Sequence, residues 1–166
     1  MVVLVTGASG YIGSHIVANL LSKGKVVRAT VRDASDPERV DHLKNMEIAK
    51  GGSLEIIEMN LLDSESVHKA VYGCKEVIHT AAVVVLKSKK PQEKIVDPSV
   101  VGTQNVLDAI DSSETVECLV HTSSTAAIRP QRWEDGQTLT TDTWAEDANI
   151  EDNPYGLAKF SAERLV

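Results

Sequence analysis

Short β-branched runs alternate with longer segments of helical periodicity along most of this 166-residue chain. The apolar patterns predict strands at residues 2–6, 25–32, 53–59, 75–82 and 115–124. After the first of these, Ile12, Ile16 and Leu20 lie four apart and predict a helix that ends at Gly24, a residue suited to a left-handed cap. Strands that alternate with helices pair in parallel through helical crossovers, so we predict an α/β fold with a doubly wound parallel sheet.

Residues typical of helix N-termini predict two further helices. Asp97 as N-cap and Pro98 at the first helical position predict a helix over residues 97–110, and Pro154 lies near the start of a last helix. Residues 125–153 show no clear period. A polar loop of that length inside a compact domain is usually functional or mobile.

The composition, 42% hydrophobic and 25% charged, is that of an ordinary globular protein, and the length predicts one domain over residues 1–166. A net charge of −7 leaves no basic face for a nucleic acid. The apolar runs are too short to span a membrane, and the first residues form a strand rather than a signal peptide, so we expect a cytoplasmic protein. The two cysteines, Cys74 and Cys118, predict neither a disulfide framework nor a metal site.

Three glycines, Gly7, Gly10 and Gly13, lie at the turn between the first strand and the first helix. At such a turn a dinucleotide pyrophosphate can meet bare backbone N–H groups and the positive end of a helix. A side chain here would keep the backbone from the phosphates. The alternative is a tight turn that holds no ligand.

The residue that ends the second strand indicates which dinucleotide binds. An acidic residue would bond both ribose hydroxyls of NAD, whereas Arg32 offers a cationic fork to the 2′-phosphate of NADP. We therefore favour NADP. Asp33 follows directly and could reach the hydroxyls, Arg39 offers a second cation, and both arginines could equally be solvated surface charges.

Two motifs carry acid–base chemistry. Tyr155 and Lys159 are four residues apart, so both project from one face of the last helix, and an ammonium favours the phenolate form of a nearby tyrosine. Ser123 and Ser124 end the fifth strand at the carboxyl edge of the sheet, where a hydroxyl can bond a substrate carbonyl oxygen. Each motif alone also has an ordinary structural explanation, either chance helix spacing or strand-end hydrogen bonding.

Taken together and in this order, these motifs resemble the short-chain dehydrogenase/reductase superfamily in its extended branch, the NAD-dependent epimerase/dehydratase type. The segments ATVRD at 29–33, HTAA at 79–82, GTQNVLDA at 102–109, HTSS at 121–124 and PYGLAK at 154–159 look like those of the dihydroflavonol reductase and cinnamoyl-CoA reductase-like group. The likeness runs from Val2 to the last residue. It implies a Rossmann-type fold and NADPH as cofactor.

The resemblance also implies roles for individual residues. The cofactor-binding positions fall on Gly7, Gly10, Tyr11, Ile12, Gly13, Arg32, Arg39, Asn60, Leu61, Thr80, Ala81, Ala82, Tyr155 and Lys159. The catalytic positions fall on Ser124, Tyr155 and Lys159. The implied reaction is the reduction of an aldehyde or ketone to an alcohol by hydride transfer, with Tyr155 as proton donor, Ser124 bonded to the carbonyl oxygen and Lys159 holding the nicotinamide ribose.

Two positions depart from the family pattern. Asn60 stands where the group has an adenine-contacting aspartate, although its amide oxygen can still accept a bond, and Val101 replaces an asparagine implicated in a proton relay. Trp133 and Trp144, in the long polar loop, either wall a substrate pocket or serve packing.

Extended members of the superfamily continue well beyond the length of this chain, so we expect an incomplete reductase without its C-terminal substrate lobe. Apolar surface left at the sheet edge would favour association into a homo-oligomer. Two alternatives remain open beside the carbonyl reductase. One is a nucleotide-sugar epimerase or dehydratase, against which Arg32 argues, and the other is a non-catalytic dinucleotide-binding module.

Overall fold

The computed structural model describes residues 1–132 and 134–166, so Trp133 and its expected role lie outside the described residues. The strands are β1 (Val2–Thr6), β2 (Val26–Val31), β3 (Ser53–Glu58), β4 (Glu76–His79) and β5 (Cys118–His121). The helices are α1 (Tyr11–Ser22), α2 (Pro37–Lys44), α3 (Ser64–Val71), α4 (Asp97–Asp111), α5 (Thr125–Ile128) and α6 (Pro154–Glu163). A π-helical turn, Gln92–Val96, precedes α4.

The strands form a parallel sheet in the order β3-β2-β1-β4-β5. The order reverses at β1, which pairs with β2 on one side and with β4 on the other. This reversal is the switch point at which doubly wound sheets bind ligands, beyond the carboxyl ends of the strands. The predicted α/β Rossmann-type fold is confirmed.

Helices cover both faces of the sheet. On one face, Val17 and Leu21 of α1 and Val40 of α2 pack with β1 and β2 residues in one fully buried cluster. On the other face, α3 and α4 pack in a second cluster around Leu4 and Val77. Each such buried aliphatic side chain contributes about 1.5–3 kcal/mol to folding. The alternate side chains of β1 therefore anchor two cores and fix the position of the turn that follows it.

The chain divides into two compact units. The first comprises Met1–Ala82 and Asn105–Thr122, and the second comprises Val83–Gln104 and Ser123–Val166. The first unit contains the sheet, and the second contains α5, α6 and the π-helical turn. A single dinucleotide-binding domain over residues 1–166 stays a prediction.

Helix α4 begins at Asp97 as predicted, but the residue does not have the predicted capping role. Asp97 does not cap a new helix, because the chain is already helical through the π-helical turn, and the Asp97 N–H bonds to the carbonyl of Gln92 five residues earlier. Pro98 lacks an N–H and would clash with a carbonyl of an ordinary preceding turn. The wider π turn accommodates it inside a longer helix.

Other predicted bounds hold to within a few residues. Strand β1 matches its prediction at both ends, whereas β4 and β5 are shorter than the apolar runs that contain them. Gly24 has a φ of +69° and its N–H bonds to Leu21 O, as expected of a left-handed cap. The described residues include no helix with the length and hydropathy of a membrane span.

Candidate functional site

Gly7 is required by the packing of the protein itself. It has a φ of +66°, which favours glycine, and a Cβ built there would lie 2.8 Å from the Cα of Ala81. The turn after β1 therefore lies directly against the backbone that follows β4. Any side chain at Gly7 would push the two strand ends apart.

Gly13 and Gly10 have different reasons to be glycine. A Cβ at Gly13 would lie 2.3 Å from the carbonyl oxygen of Gly7, so this position is needed for α1 to pack on its own turn. A Cβ at Gly10 would meet only the Gly7 oxygen, at 3.3 Å, and Gly10 has an extended backbone with φ −80° and ψ 169°. Alanine fits that conformation. Contacts within the protein therefore strongly require glycine at positions 7 and 13, and only weakly at position 10.

The N-terminus of α1 is suited to an anion. Gly10 is the N-cap and supplies no side chain to the first backbone N–H groups, and the first turn carries no acidic residue. Tyr11 and Ile12 follow with 83% and 53% of their surface exposed. Unsatisfied N–H groups and the positive end of a 12-residue helix therefore face open space. A pyrophosphate group fits this arrangement.

Thr6, which sequence reasoning missed, positions the segment after β4. Its Oγ1 accepts hydrogen bonds from the backbone N–H groups of Thr80 and Ala81, both at 3.1 Å, while Thr80 Oγ1 donates to Thr6 O at 2.6 Å. A hydroxyl that accepts twice has one proton left to donate, so Thr6 donates to His79 Nδ1, 2.7 Å away. The imidazole of His79 then carries its proton on Nε2. The predicted cofactor segment Thr80, Ala81 and Ala82 is thus tied to the glycine turn.

Asp33 and Arg32, the two residues at the end of β2 that could bind the cofactor ribose, have different surroundings in the structure. Asp33 Oδ1 accepts bonds from the hydroxyl of Ser35 at 2.6 Å and its N–H at 2.9 Å, and these bonds hold the pKa of Asp33 below its ordinary value. Arg32 is exposed and forms no ion pair within 4 Å in the described part of the chain. Arg39 donates from Nε to Asp36 Oδ2 at 2.9 Å. Asp33 therefore shapes the loop, while no acidic side chain among the described residues orients Arg32.

The predicted adenine contacts lie in a turn after β3. Asn60 Oδ1 accepts the N–H of Leu62 at 3.1 Å, so one acceptor site of this amide is used within the turn and a second remains. Asn105 of α4 donates from Nδ2 to the carbonyl of Leu61 at 2.7 Å and fixes the turn. Asn105 lies in the motif GTQNVLDA, but its role depends on a partner 44 residues away.

In the second unit, Ser124 caps α5. Its Oγ accepts the N–H of Ala126 at 3.1 Å, and the side chain is partly buried. A serine hydroxyl accepts up to two bonds and donates one. Capping therefore uses an acceptor site of Ser124 and leaves its O–H to donate. Helix α5 packs directly against α6, which carries the other two predicted catalytic residues.

The start of α6 is fixed by its own cap. Asn153 Oδ1 accepts the N–H of Gly156 at 2.9 Å, and Pro154 occupies the first turn. A Cβ at Gly156 would lie 2.2 Å from Asn153 Nδ2, so the small residue after Tyr155 makes room for the cap. Tyr155 packs against the buried cluster that includes Ile95. The backbone on either side of the phenol is thus held in place.

Lys159 lies on α6, one turn after Tyr155, and is only 9% exposed. Burial lowers the pKa of its ammonium group below the ordinary value, and the negative charge of Glu163 partly opposes that effect. Charged lysines are rarely buried without a functional or electrostatic reason. The structure therefore places the Tyr155–Lys159 pair on one helix, with the lysine buried.

The long polar loop is structured by hydrogen bonds of its own. Asp147 accepts the backbone N–H groups of Arg132 at 2.8 Å and Gln131 at 2.7 Å, which lowers the pKa of its carboxyl group. Trp144 packs at 6.2 Å from the ring of Phe160. Trp144 thus has a packing contact, and its role as a wall of a substrate pocket stays a prediction.

We compared the chain with known proteins. Residues 4–166 match the 3-beta hydroxysteroid dehydrogenase/isomerase family. The chain belongs to this family. Within it, the chain is 42% identical over 153 residues to cinnamoyl-CoA reductase CAD2 of Medicago truncatula, covering 90% of this chain and 46% of that protein. It is also 39% identical over 126 residues to a bifunctional dihydroflavonol 4-reductase/flavanone 4-reductase of Malus domestica, covering 76% of this chain and 36% of that protein.

A solved structure agrees with this placement. The yeast methylglyoxal/isovaleraldehyde reductase Gre2, crystallised with NADPH, superposes with a TM-score of 0.81 at 26% identity, covering 99% of this chain and 51% of that one. The chain thus spans about half the length of the relatives that it matches, or less.

Membership of the 3-beta hydroxysteroid dehydrogenase/isomerase family, with reductases as relatives, confirms the resemblance predicted from the motifs. The roles of the individual site residues stay predictions. So do the cytoplasmic location and the homo-oligomer.

Proposed function

We propose that this chain forms the dinucleotide-binding part of an NADPH-dependent reductase that converts an aldehyde or ketone to an alcohol. The named relatives are a cinnamoyl-CoA reductase, a dihydroflavonol 4-reductase and an aldehyde reductase crystallised with NADPH, which supports this reaction class. NADPH, when bound, supplies a hydride to the carbonyl carbon.

The observation that carries the proposal is the uncapped, acid-free N-terminus of α1 at Gly10. A Cβ at this glycine would meet one backbone oxygen at 3.3 Å, a contact that a small shift relieves, whereas a ligand that approaches the backbone would need the Cβ to be absent. Arg32 supports the choice of NADP, because it is exposed and no acidic side chain of the described chain orients it, while Asp33 is engaged with Ser35.

The proton chemistry is assigned to the second unit. Tyr155 would donate its phenolic proton to the carbonyl oxygen as negative charge develops there, and Ser124 would donate a hydrogen bond to the same oxygen. The geometry of Ser124 supports this role, because its cap bond uses an acceptor site and leaves the O–H as donor. The ammonium of Lys159 would favour ionisation of Tyr155 and bond the ribose hydroxyls.

The test is turnover with a panel of aldehydes and ketones, followed by the absorbance of the reduced nicotinamide, in the wild type and in Tyr155→Phe. Loss of a positioned general acid should lower kcat roughly a hundred- to ten-thousandfold while NADPH binding persists. Tyr72→Phe is the matched control, since Tyr72 is 81% exposed and lies in the other unit.

Each result is decisive for a different part of the proposal. If calorimetry detects no binding of NADPH, the proposed cofactor site is wrong. Binding of NADPH without turnover of any substrate in the panel by the full-length reductase that this chain is proposed to belong to would select a non-catalytic dinucleotide-binding module instead. A Tyr155→Phe variant as active as Tyr72→Phe would remove Tyr155 from the mechanism.

A further inference from the structure

Three ionisable residues, Tyr155, Lys159 and Glu163, follow one another at intervals of four along α6. Residues at this spacing lie on the same face of a helix, one turn apart. The functional proposal uses the first two of these residues and gives no role to the third.

Glu163, like the lysine, is withdrawn from solvent in part. Its side chain is partly buried and its Oε2 atom is shielded from solvent, while Lys159 one turn earlier is 9% exposed. Two opposite charges in partly desolvated positions on one helix face interact more strongly than a surface pair. The carboxylate of Glu163 accordingly opposes the effect of burial on the pKa of Lys159.

Helix stability does not explain the glutamate. Glu163 is the last residue of α6, where the negative end of the helix dipole disfavours an acid. In addition, a lysine four residues before a glutamate is the less favourable order for a helix ion pair. A residue that is locally unfavourable and partly buried calls for an explanation outside the helix itself.

The elements packed against α6 also carry charged groups. Helix α6 packs against α5 and the π-helical turn. The π-helical turn carries Glu93 and Lys94, which pair with each other at 3.5 Å on the exposed surface, and Arg129 follows α5. The field of Glu163 acts on Lys159 and opposes the effect of burial.

We propose that Glu163 is a positioning residue that acts through Lys159, holding the buried lysine in its charged form on the face of α6 that carries Tyr155. The inference rests on the proposed function for its catalytic meaning. Its physical content, the electrostatic coupling of Glu163 to Lys159, can be measured without cofactor or substrate. The charged lysine is the form that favours the phenolate of Tyr155.

The decisive experiment follows Lys159 by NMR in protein labelled with ¹³C at the lysine Cε, its signal assigned by its absence from Lys159→Met. In Glu163→Gln we expect Lys159 to lose its proton at a lower pH than in the wild type, because burial then acts without the opposing charge. Glu163→Asp, which restores the charge, should return the titration toward the wild-type midpoint. Glu151→Gln, which removes an exposed acid of the same unit, should leave it unchanged.

A second readout applies where turnover is established. The alkaline limb of the kcat profile should move to lower pH in Glu163→Gln, with near wild-type activity on its acidic side. A residue with a purely structural role would lower activity equally at every pH. The inference is overturned if the Lys159 midpoint is the same in Glu163→Gln and in the wild type, or if Glu151→Gln shifts it as much. Absence of NADPH binding would overturn the proposed function and leave the NMR result intact.

Discussion

The Gly10→Ala substitution tests whether glycine at this position is needed for folding or for the binding of a ligand at the turn after β1. The added Cβ would meet the Gly7 carbonyl oxygen at 3.3 Å, a tight contact that a shift of a few tenths of an ångström relieves. The backbone of Gly10, with φ −80° and ψ 169°, is open to alanine. We therefore expect the variant to fold.

The change in the free energy of unfolding should be small. Alanine reduces the entropy of the unfolded chain, which stabilises by about 0.4–1 kcal/mol, and it is a poorer N-cap than glycine by a comparable amount. These effects nearly cancel. Gly13→Ala is the comparison, because its Cβ would lie 2.3 Å from a backbone oxygen, an overlap that should cost about 1–3 kcal/mol or more.

The effect on binding should be large by comparison. A methyl group over the N-terminus of α1 would hold a pyrophosphate away from N–H groups whose charge-assisted bonds are worth about 1.5–3 kcal/mol. That range corresponds to a loss in NADPH affinity of roughly ten- to hundredfold. Calorimetric titration with NADPH and urea unfolding of the same Gly10→Ala preparation measure the two effects side by side.

Two results would refute the reasoning about Gly10. Unchanged NADPH affinity in Gly10→Ala would mean that no ligand approaches this backbone. A loss of stability as large as that of Gly13→Ala would mean that the fold itself needs the glycine. Either result would remove the observation on which the functional proposal depends.

Three further predictions concern charged side chains. Arg32→Ala should weaken NADPH binding roughly ten- to hundredfold while barely changing NADH binding, and parallel titrations showing equal losses would contradict the assignment of NADP. Arg28→Met should lower the free energy of unfolding in urea by about 2 kcal/mol, because the side chain is 18% exposed and donates to the carbonyls of Ala70 and Tyr72 at 2.9 and 2.7 Å; an effect below about 0.5 kcal/mol would show that water replaces these bonds. The lowered folded-state pKa of Lys159 means that its contribution to stability is fully present above the ordinary value of 10.5 and is lost as pH falls through the folded value. The stability of the wild type relative to Lys159→Met should therefore rise with pH toward 10.5, and a difference independent of pH would contradict the buried charge.

Local patterns were sufficient to predict most of the fold. The β-branched run at 2–6 gives β1 its observed bounds, and the glycine at position 24 ends α1 as expected. The predicted bounds of α4 hold to within one residue, but the predicted role of Asp97 as N-cap was wrong, because the π-helical turn before it leaves no simple sequence signal. Local rules fail where the chain is held by an unusual backbone conformation.

In the candidate site, too, local motifs predicted some residues, and others could not be predicted. Motifs a few residues long drew attention to Gly10, Tyr155 and Lys159. Thr6 and Asn105 were missed, because what they do depends on partners about 74 and 44 residues away in sequence. A threonine that ends a strand looks ordinary until the fold brings the backbone after β4 within 3.1 Å of its hydroxyl.

Structural and functional explanations of one residue need not compete. Ser124 caps α5 by accepting from Ala126, which is the ordinary role of a serine at that position. The same bond orients the hydroxyl and leaves its single proton to donate, which is what a developing negative charge on a carbonyl oxygen would require. Gly10 is a different case, since a Cβ there would meet one backbone oxygen at 3.3 Å, a much looser contact than those at Gly7 and Gly13. The strongest candidates for contact with ligands are therefore residues that keep an unused hydrogen-bond donor or lie next to open space after the protein has folded.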